Sequence, residues 1–127
     1  MKIILTDQAP KAIGPYSPAI QTGNLIFCSG QTPLNPETML IEGATVTEQT
    51  TLVLNNLETV LKAAGCSRTH ILKTSVFLKN FADFEKMNAA YNSFFGGHKP
   101  ARTTVEVSRL PKDALVEIEC VAEIRSE

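Results

Sequence analysis

At 127 residues, 43% of them hydrophobic and 20% charged, the chain is long enough for one core and too short for two, and its composition is not that of a disordered protein. A net charge of -1 gives no long-range attraction to nucleic acid or to an anionic membrane. No apolar run approaches the ~20 residues that a bilayer span needs. Residues 1–127 are therefore expected to form one domain. In Met1–Lys11, Asp7 and Pro10 interrupt any apolar segment, so no signal peptide is read there. A cytoplasmic protein is the simplest expectation, or a mitochondrial one if a transit peptide has been removed.

In chain order, Lys2–Thr6 reads as a short edge strand, and Ala9-Pro10 and Gly14-Pro15 make Lys11–Pro18 a loop. Read from the residues alone, Tyr16 packs its ring on the core and leaves its hydroxyl wet. Ala19–Thr22 and Leu25–Ser29 read as strands around a Gly23-Asn24 hairpin turn. A strand ending in Ser29-Gly30 suggests a sharp bend or a close approach of the backbone, and a plain turn explains it equally well. Thr32–Gly43, with two prolines, is expected to be an exposed loop.

The first helix begins at Thr45, which with Glu48 fits a capping box. Val53, Leu57, Val60, Leu61 and Ala64 form its apolar stripe, and Gly65 stops it. Ile71–Leu78 reads as a strand. A second helix is expected over about Phe81–Phe95, with Asn80 as a candidate cap and Gly96-Gly97 as terminator. Phe84, Met87, Tyr91 and Phe94 read as its core face, with Asn88 on the edge of that stripe.

The last two strands, about Arg102–Val107 and Ala114–Ile124, are joined through Leu110-Pro111-Lys112-Asp113. If they pair antiparallel with apolar faces matched, Arg102, Glu117 and Glu119 share one polar face. Glu106 and Glu119 read as spectators on that face, and Arg109 and Lys112 as solvent-exposed charges. The order β-β-β-α-β-α-β-β, with both helices amphipathic, predicts an α+β two-layer domain: a mixed sheet with two helices on one face. The other face must meet water or another subunit.

Cysteines number three and are widely spaced, which excludes a closed disulfide framework. Cys28 and Cys120 sit in apolar strand patterns and read as buried thiols, whereas Cys66, after the first helix, is expected to be more exposed. The two histidines, His70 and His98, show no ligand spacing, so no metal site is expected.

The run Pro100-Ala-Arg-Thr-Thr-Val-Glu-Val-Ser-Arg-Leu-Pro-Lys-Asp, followed by Val116-Glu-Ile-Glu119, resembles the C-terminal signature of the Rid (RidA/YjgF) family of reactive-intermediate imine deaminases. Ile13-Gly-Pro-Tyr-Ser17 and Ser29-Gly-Gln-Thr-Pro33 match in the same order, so the resemblance spans nearly the whole chain. It implies a chorismate-mutase-like fold, a homotrimer, and sites in clefts between subunits. It implies hydrolysis of 2-iminopropanoate and 2-iminobutanoate, with their enamine tautomers, to 2-oxo acids and ammonia, without a cofactor. Arg102, Glu117 and Tyr16 become the candidate catalytic residues, and Ser29, Gly30, Thr104 and Asn88 the candidate substrate-binding ones. Many members carry cysteine two residues after the arginine, where this chain has Thr104, which bears on substrate preference.

These residue types suit the chemistry. A guanidinium grips a carboxylate bidentately and keeps its charge near neutral pH, which contributes on the order of 1.5–3 kcal/mol. Backbone N–H groups near Gly30 and Thr104 complete an anion pocket, and Glu117 exchanges a proton with water or with the departing ammonia. Glu119 would raise the Glu117 pKa and Arg102 would lower it. Two other functions compete: endoribonuclease activity, attributed to some relatives but poorly matched by the charge and the lack of Trp, and a non-catalytic module binding small carboxylates or a protein partner.

Overall fold

The computed structural model describes residues 1–125. Its strands are β1 (Lys2–Ile4), β2 (Ala19–Thr22), β3 (Leu25–Gln31), β4 (Ile71–Leu78), β5 (Ala101–Glu106) and β6 (Val116–Glu123). The helices are α1 (Val46–Ala63) and α2 (Phe84–Phe95). The six strands form one sheet in the order β1-β2-β3-β6-β4-β5, antiparallel except for the parallel pair β4/β5. The expected α+β mixed sheet with two helices is what the chain forms.

Alternation along the strands fills one side of the sheet with core. Ile26, Val76, Leu78, Ile118 and Ala122 are fully buried there, together with Val53, Leu54, Leu57, Val60 and Leu61 of α1. At the start of α1, the Thr45 hydroxyl accepts the Glu48 backbone N–H at 3.2 Å and donates to Glu48 Oε1 at 3.1 Å. The carboxylate thus returns to the side chain of its cap rather than to the backbone. Before α2, Phe81–Asp83 form a short 3-10 turn, and Asn80 makes no side-chain cap. Glu106 of β5 takes that role, accepting the Phe81 N–H at 2.7 Å, so it is no spectator.

The expected pairing of the last two strands is overturned. β4 lies between β5 and β6, with Thr74 opposite Arg102 on one side and opposite Cys120 on the other. The cause is the connection: β4–α2–β5 is a strand–helix–strand unit, which makes parallel neighbours, and residues 107–115 then step across β4 to reach β6. The faces change as well. Because Arg102, Thr104 and Glu106 register with Thr74, Val76 and Leu78, they point to the helix side. Glu117 and Glu119 register with Phe77 and Ser75 and point to the open side. Arg102 and Glu117 therefore lie on opposite faces of the sheet, and no common polar face exists. Val105, on the other face of β5, is 41% exposed.

The three thiols are free and buried. Cys28 and Cys120 face each other across β3 and β6. Cys66, expected to be more exposed, is only 3% exposed, and burial pushes its thiol pKa up, the opposite of a nucleophile's requirement.

Candidate functional site

A cleft of about 570 Å³ opens between the loop at 10–18, the end of β3, the start of β6 and the turn at Pro111. Four of the expected residues, Tyr16, Ser29, Gly30 and Glu117, line it. Its geometry starts from a bulge. Cys28 pairs with Cys120 and Gln31 with Ile118, so Ser29 and Gly30 together oppose the single residue Glu119. The Ser29 hydroxyl donates to the Ser17 carbonyl at 2.6 Å, and its N–H to the Pro18 carbonyl at 3.0 Å, which ties the bulge to the loop carrying Tyr16. That loop is itself closed by the Ile13 N–H donating to the Tyr16 hydroxyl oxygen at 3.1 Å. Tyr16 is half exposed, with its own hydroxyl proton left to give.

Gly30 is required for a close approach. A Cβ built on it would stand 2.8 Å from Glu117 Oε1 and 3.0 Å from Glu117 Cδ. The carboxylate of Glu117 thus lies on the bare backbone of the bulge. Burial raises the Glu117 pKa, and the like charge of Glu119 raises it further. The expected opposing effect of Arg102 does not operate within the chain, since the guanidinium is on the other face. Glu119 lines the same cleft and is not a spectator. Its place was legible, because residues two apart on a strand share a face.

Arg102 sits elsewhere, on the sheet-edge strand β5 under α2. Its guanidinium carbon lies 4.9 Å from the Tyr91 ring centroid and 5.6 Å from that of Phe84. Asn88 stands about one helical turn from each of those aromatic residues, on the same side of α2. Thr104 follows two residues along the strand, on the same face as Arg102. Asn88 Oδ1 and Thr104 Oγ1 are buried and have no hydrogen-bond partner among the described residues. The ion pairs among those residues are Arg68–Glu58 and Arg109–Asp113, so Arg102 has no carboxylate partner there. A cation and two unsatisfied buried oxygens converging on one edge is an arrangement suited to a ligand.

The seven expected site residues thus fall into two groups: Tyr16, Ser29, Gly30 and Glu117 in the cleft, and Arg102, Thr104 and Asn88 at the β5 edge. Sequence reasoning missed Lys112, which lines the cleft, because a lysine beside a proline turn carries no signal apart from its exposure. Among the described residues no group of three or more His, Cys, Asp or Glu side chains could hold a metal ion, and no helix is long and apolar enough to cross a membrane.

Comparison with known proteins bears on the whole chain. The family described as endoribonuclease L-PSP matches residues 6–124. A RutC family protein of Pyrococcus abyssi is 50% identical over 121 residues, covering 95% of this chain and 95% of its own length. The chloroplastic Reactive Intermediate Deaminase A of Arabidopsis thaliana is 42% identical over 121 residues, covering 95% of this chain and 65% of its own length. Among solved structures, E. coli TdcF with bound serine superposes with a TM-score of 0.94 at 42% identity, covering 98% of this chain and all of that one. The chain belongs to the endoribonuclease L-PSP family, the YjgF/Rid family that its three motifs resemble.

Proposed function

We propose that this protein hydrolyses small 2-imino acids, 2-iminopropanoate and 2-iminobutanoate with their enamine tautomers, to 2-oxo acids and ammonia. In this reading each active site is assembled from two copies of the chain within a homotrimer. One observation carries the proposal. The proton-exchanging group, Glu117, and the carboxylate-gripping group, Arg102, are each built for a ligand but lie on opposite faces of one sheet. A single chain cannot bring them to one small molecule, whereas the edge of one copy seated against the cleft of the next can. Exposed apolar residues favour such seating: Ile3 and Phe27 on the open face are 50% and 46% exposed.

The chemistry follows from the groups. Arg102 holds the substrate carboxylate bidentately, with Thr104 and Asn88 beside it offering further hydrogen bonds. Glu117, its pKa raised by burial and by Glu119, takes a proton from water as the water oxygen bonds to the C=N carbon and passes that proton to the nitrogen, giving the neutral carbinolamine. The same carboxylate then takes the carbinolamine hydroxyl proton and delivers it to the amino nitrogen, so that C=O forms as the C–N bond breaks, ammonia leaves and the 2-oxo acid remains. The Tyr16 hydroxyl donates to the developing oxygen. The deaminase name of the Arabidopsis relative supports this chemistry. The endoribonuclease description of the family finds less support here, since the net charge is -1 and the cleft presents two carboxylates, Glu117 and Glu119.

The test is turnover of 2-aminoacrylate generated in the assay by a serine dehydratase. Wild type is expected to accelerate pyruvate release, and Glu117→Gln to lose about 10²–10⁴-fold in turnover while still binding 2-oxobutanoate. Equal turnover by wild type and Glu117→Gln would exclude the proposed role. Binding of 2-oxobutanoate without turnover by wild type would make the protein a carboxylate-binding module.

A further inference from the structure

The rim of the cleft carries an unexplained concentration of strain. Among the described residues, three non-glycine residues have positive φ: Met39 at 59°, Lys112 at 54° and Asp113 at 57°. Such conformations cost on the order of 1 kcal/mol or more each and persist where surrounding contacts impose them. These three are not scattered. The Lys112 ammonium donates to the Met39 carbonyl at 3.0 Å, joining positions 73 residues apart, and Lys112 and Pro111 line the cleft.

The segment on the far side of that bond is a self-bonded hairpin. Asn35 Oδ1 accepts from the N–H groups of Glu37 and Thr38, and Asn35 Nδ2 donates to Glu42. Leu34 bridges to Ile41, and the Met39 N–H donates to the Asn35 carbonyl. The base of the hairpin is fastened to α1, where buried Asn56 donates to the carbonyls of Thr32 and Leu34. Leu34, at that base, lines the cleft. The tip at Met39 is held across the gap by Lys112.

We propose that Lys112 is a positioning residue: its ammonium latches the 33–42 hairpin to the 111–113 turn and so fixes the rim of the cleft in which Glu117 works. The bond is exposed and singular, so it sets geometry at little cost to overall stability. The positive φ at each end belongs to its own turn, and the bond fixes the separation of the two turns. The latch rests on the functional reading above only for its kinetic consequence, and its structural consequence is measured separately.

Lys112→Met, which keeps the aliphatic stem, and Lys112→Arg, which keeps a donor, are compared with wild type. Amide hydrogen exchange is expected to quicken severalfold within residues 35–42 in Lys112→Met and to stay at the wild-type rate in Lys112→Arg. In the imine assay Lys112→Met is expected to raise KM roughly fivefold with kcat within about twofold, and Lys112→Arg to restore KM. Unchanged exchange in Lys112→Met, or equal impairment of the two variants, would overturn the latch. If wild type hydrolyses no imine, the functional reading fails, and hydrogen exchange alone still decides the latch. Met39→Gly keeps the carbonyl and removes the strain at that end. It is expected to leave exchange and KM at wild-type values, and loss of either in that variant would also overturn the latch.

Discussion

Two arginines lean on the aromatic face of α2, and they are treated in opposite ways. Arg68 lies over the Phe94 ring at 3.9 Å, gives Nε and Nη2 to the two oxygens of Glu58 at 2.9 and 2.6 Å, and donates Nη1 to the Phe94 carbonyl at 2.7 Å. Its backbone N–H also donates to Glu58 at 2.9 Å. Arg102 lies over Tyr91 and Phe84 and has no carboxylate partner among the described residues. The first guanidinium is satisfied in the chain and ties the segment after α1 to the end of α2. The second is left without such a tie among the described residues. Aromatic stacking is common to both, so it is the pairing that separates the structural arginine from the one proposed to grip the substrate carboxylate.

Breaking the two contacts should give opposite signatures. On the Arg102 side the largest effect is on activity: Arg102→Ala is expected to lower kcat/KM for 2-aminoacrylate by about 10²-fold, the loss of a charge-assisted bidentate contact, with the thermal midpoint nearly unchanged. Arg68→Ala should do the reverse. It strands the carboxylate of Glu58, which is only 8% exposed, and is expected to destabilise the fold by roughly 2–3 kcal/mol, discounted for the partial exposure of Arg68. Chemical denaturation measures that cost, and kcat/KM per folded molecule should stay at the wild-type value. If Arg68→Ala lost activity while stable, or Arg102→Ala unfolded the protein, the distinction would collapse.

A smaller effect sharpens the cleft side. Gly30→Ala places a methyl group where Glu117 lies, so the carboxylate must move and turnover should fall roughly tenfold with little change in 2-oxobutanoate binding, read by calorimetry. The smallest effects are in pH. Arg68 holds the Glu58 pKa below its ordinary value, so that pair stabilises the fold above the unfolded pKa and loses its contribution as pH falls through the folded one. Glu117 behaves in the opposite sense. Its raised pKa means that the ionised form opposes folding, so stability declines as pH rises from the ordinary carboxyl value through the raised one. Glu117→Gln should therefore be slightly more stable than wild type at neutral pH and equal to it in acid, as pH-dependent denaturation would show.

The same comparison shows what was legible in the sequence. Periodicity with the Thr45 cap located the first helix and periodicity alone the second, and the three motifs held six of the seven candidate site residues, with Asn88 outside them. Pairing was not legible, because alternation gives the two faces of a strand but not which of them meets the core. For β5 the polar face turned inward, since it is an edge strand whose inward residues are used by α2: Arg102 on the rings of Phe84 and Tyr91, and Glu106 on the Phe81 N–H. A charged residue on the helix face departs from the usual pattern, and of the two here Glu106 is tied to a backbone N–H whereas Arg102 has no ion-pair partner among the described residues. The Arg68–Glu58 pair also went unread, because ten residues and a helix end separate its members. Glu58 sits on α1 among residues that read as plain core.

The central claim is that Arg102 and Glu117 act on one substrate from different chains. Co-refolding equal amounts of Arg102→Ala and Glu117→Gln, each inactive alone, tests it directly. Random mixing places both intact residues at roughly a quarter of sites formed between subunits, so about a quarter of wild-type turnover is expected to return. If the mixture stays as inactive as its components while assembling normally, the two groups serve the same chain's site and the account is contradicted.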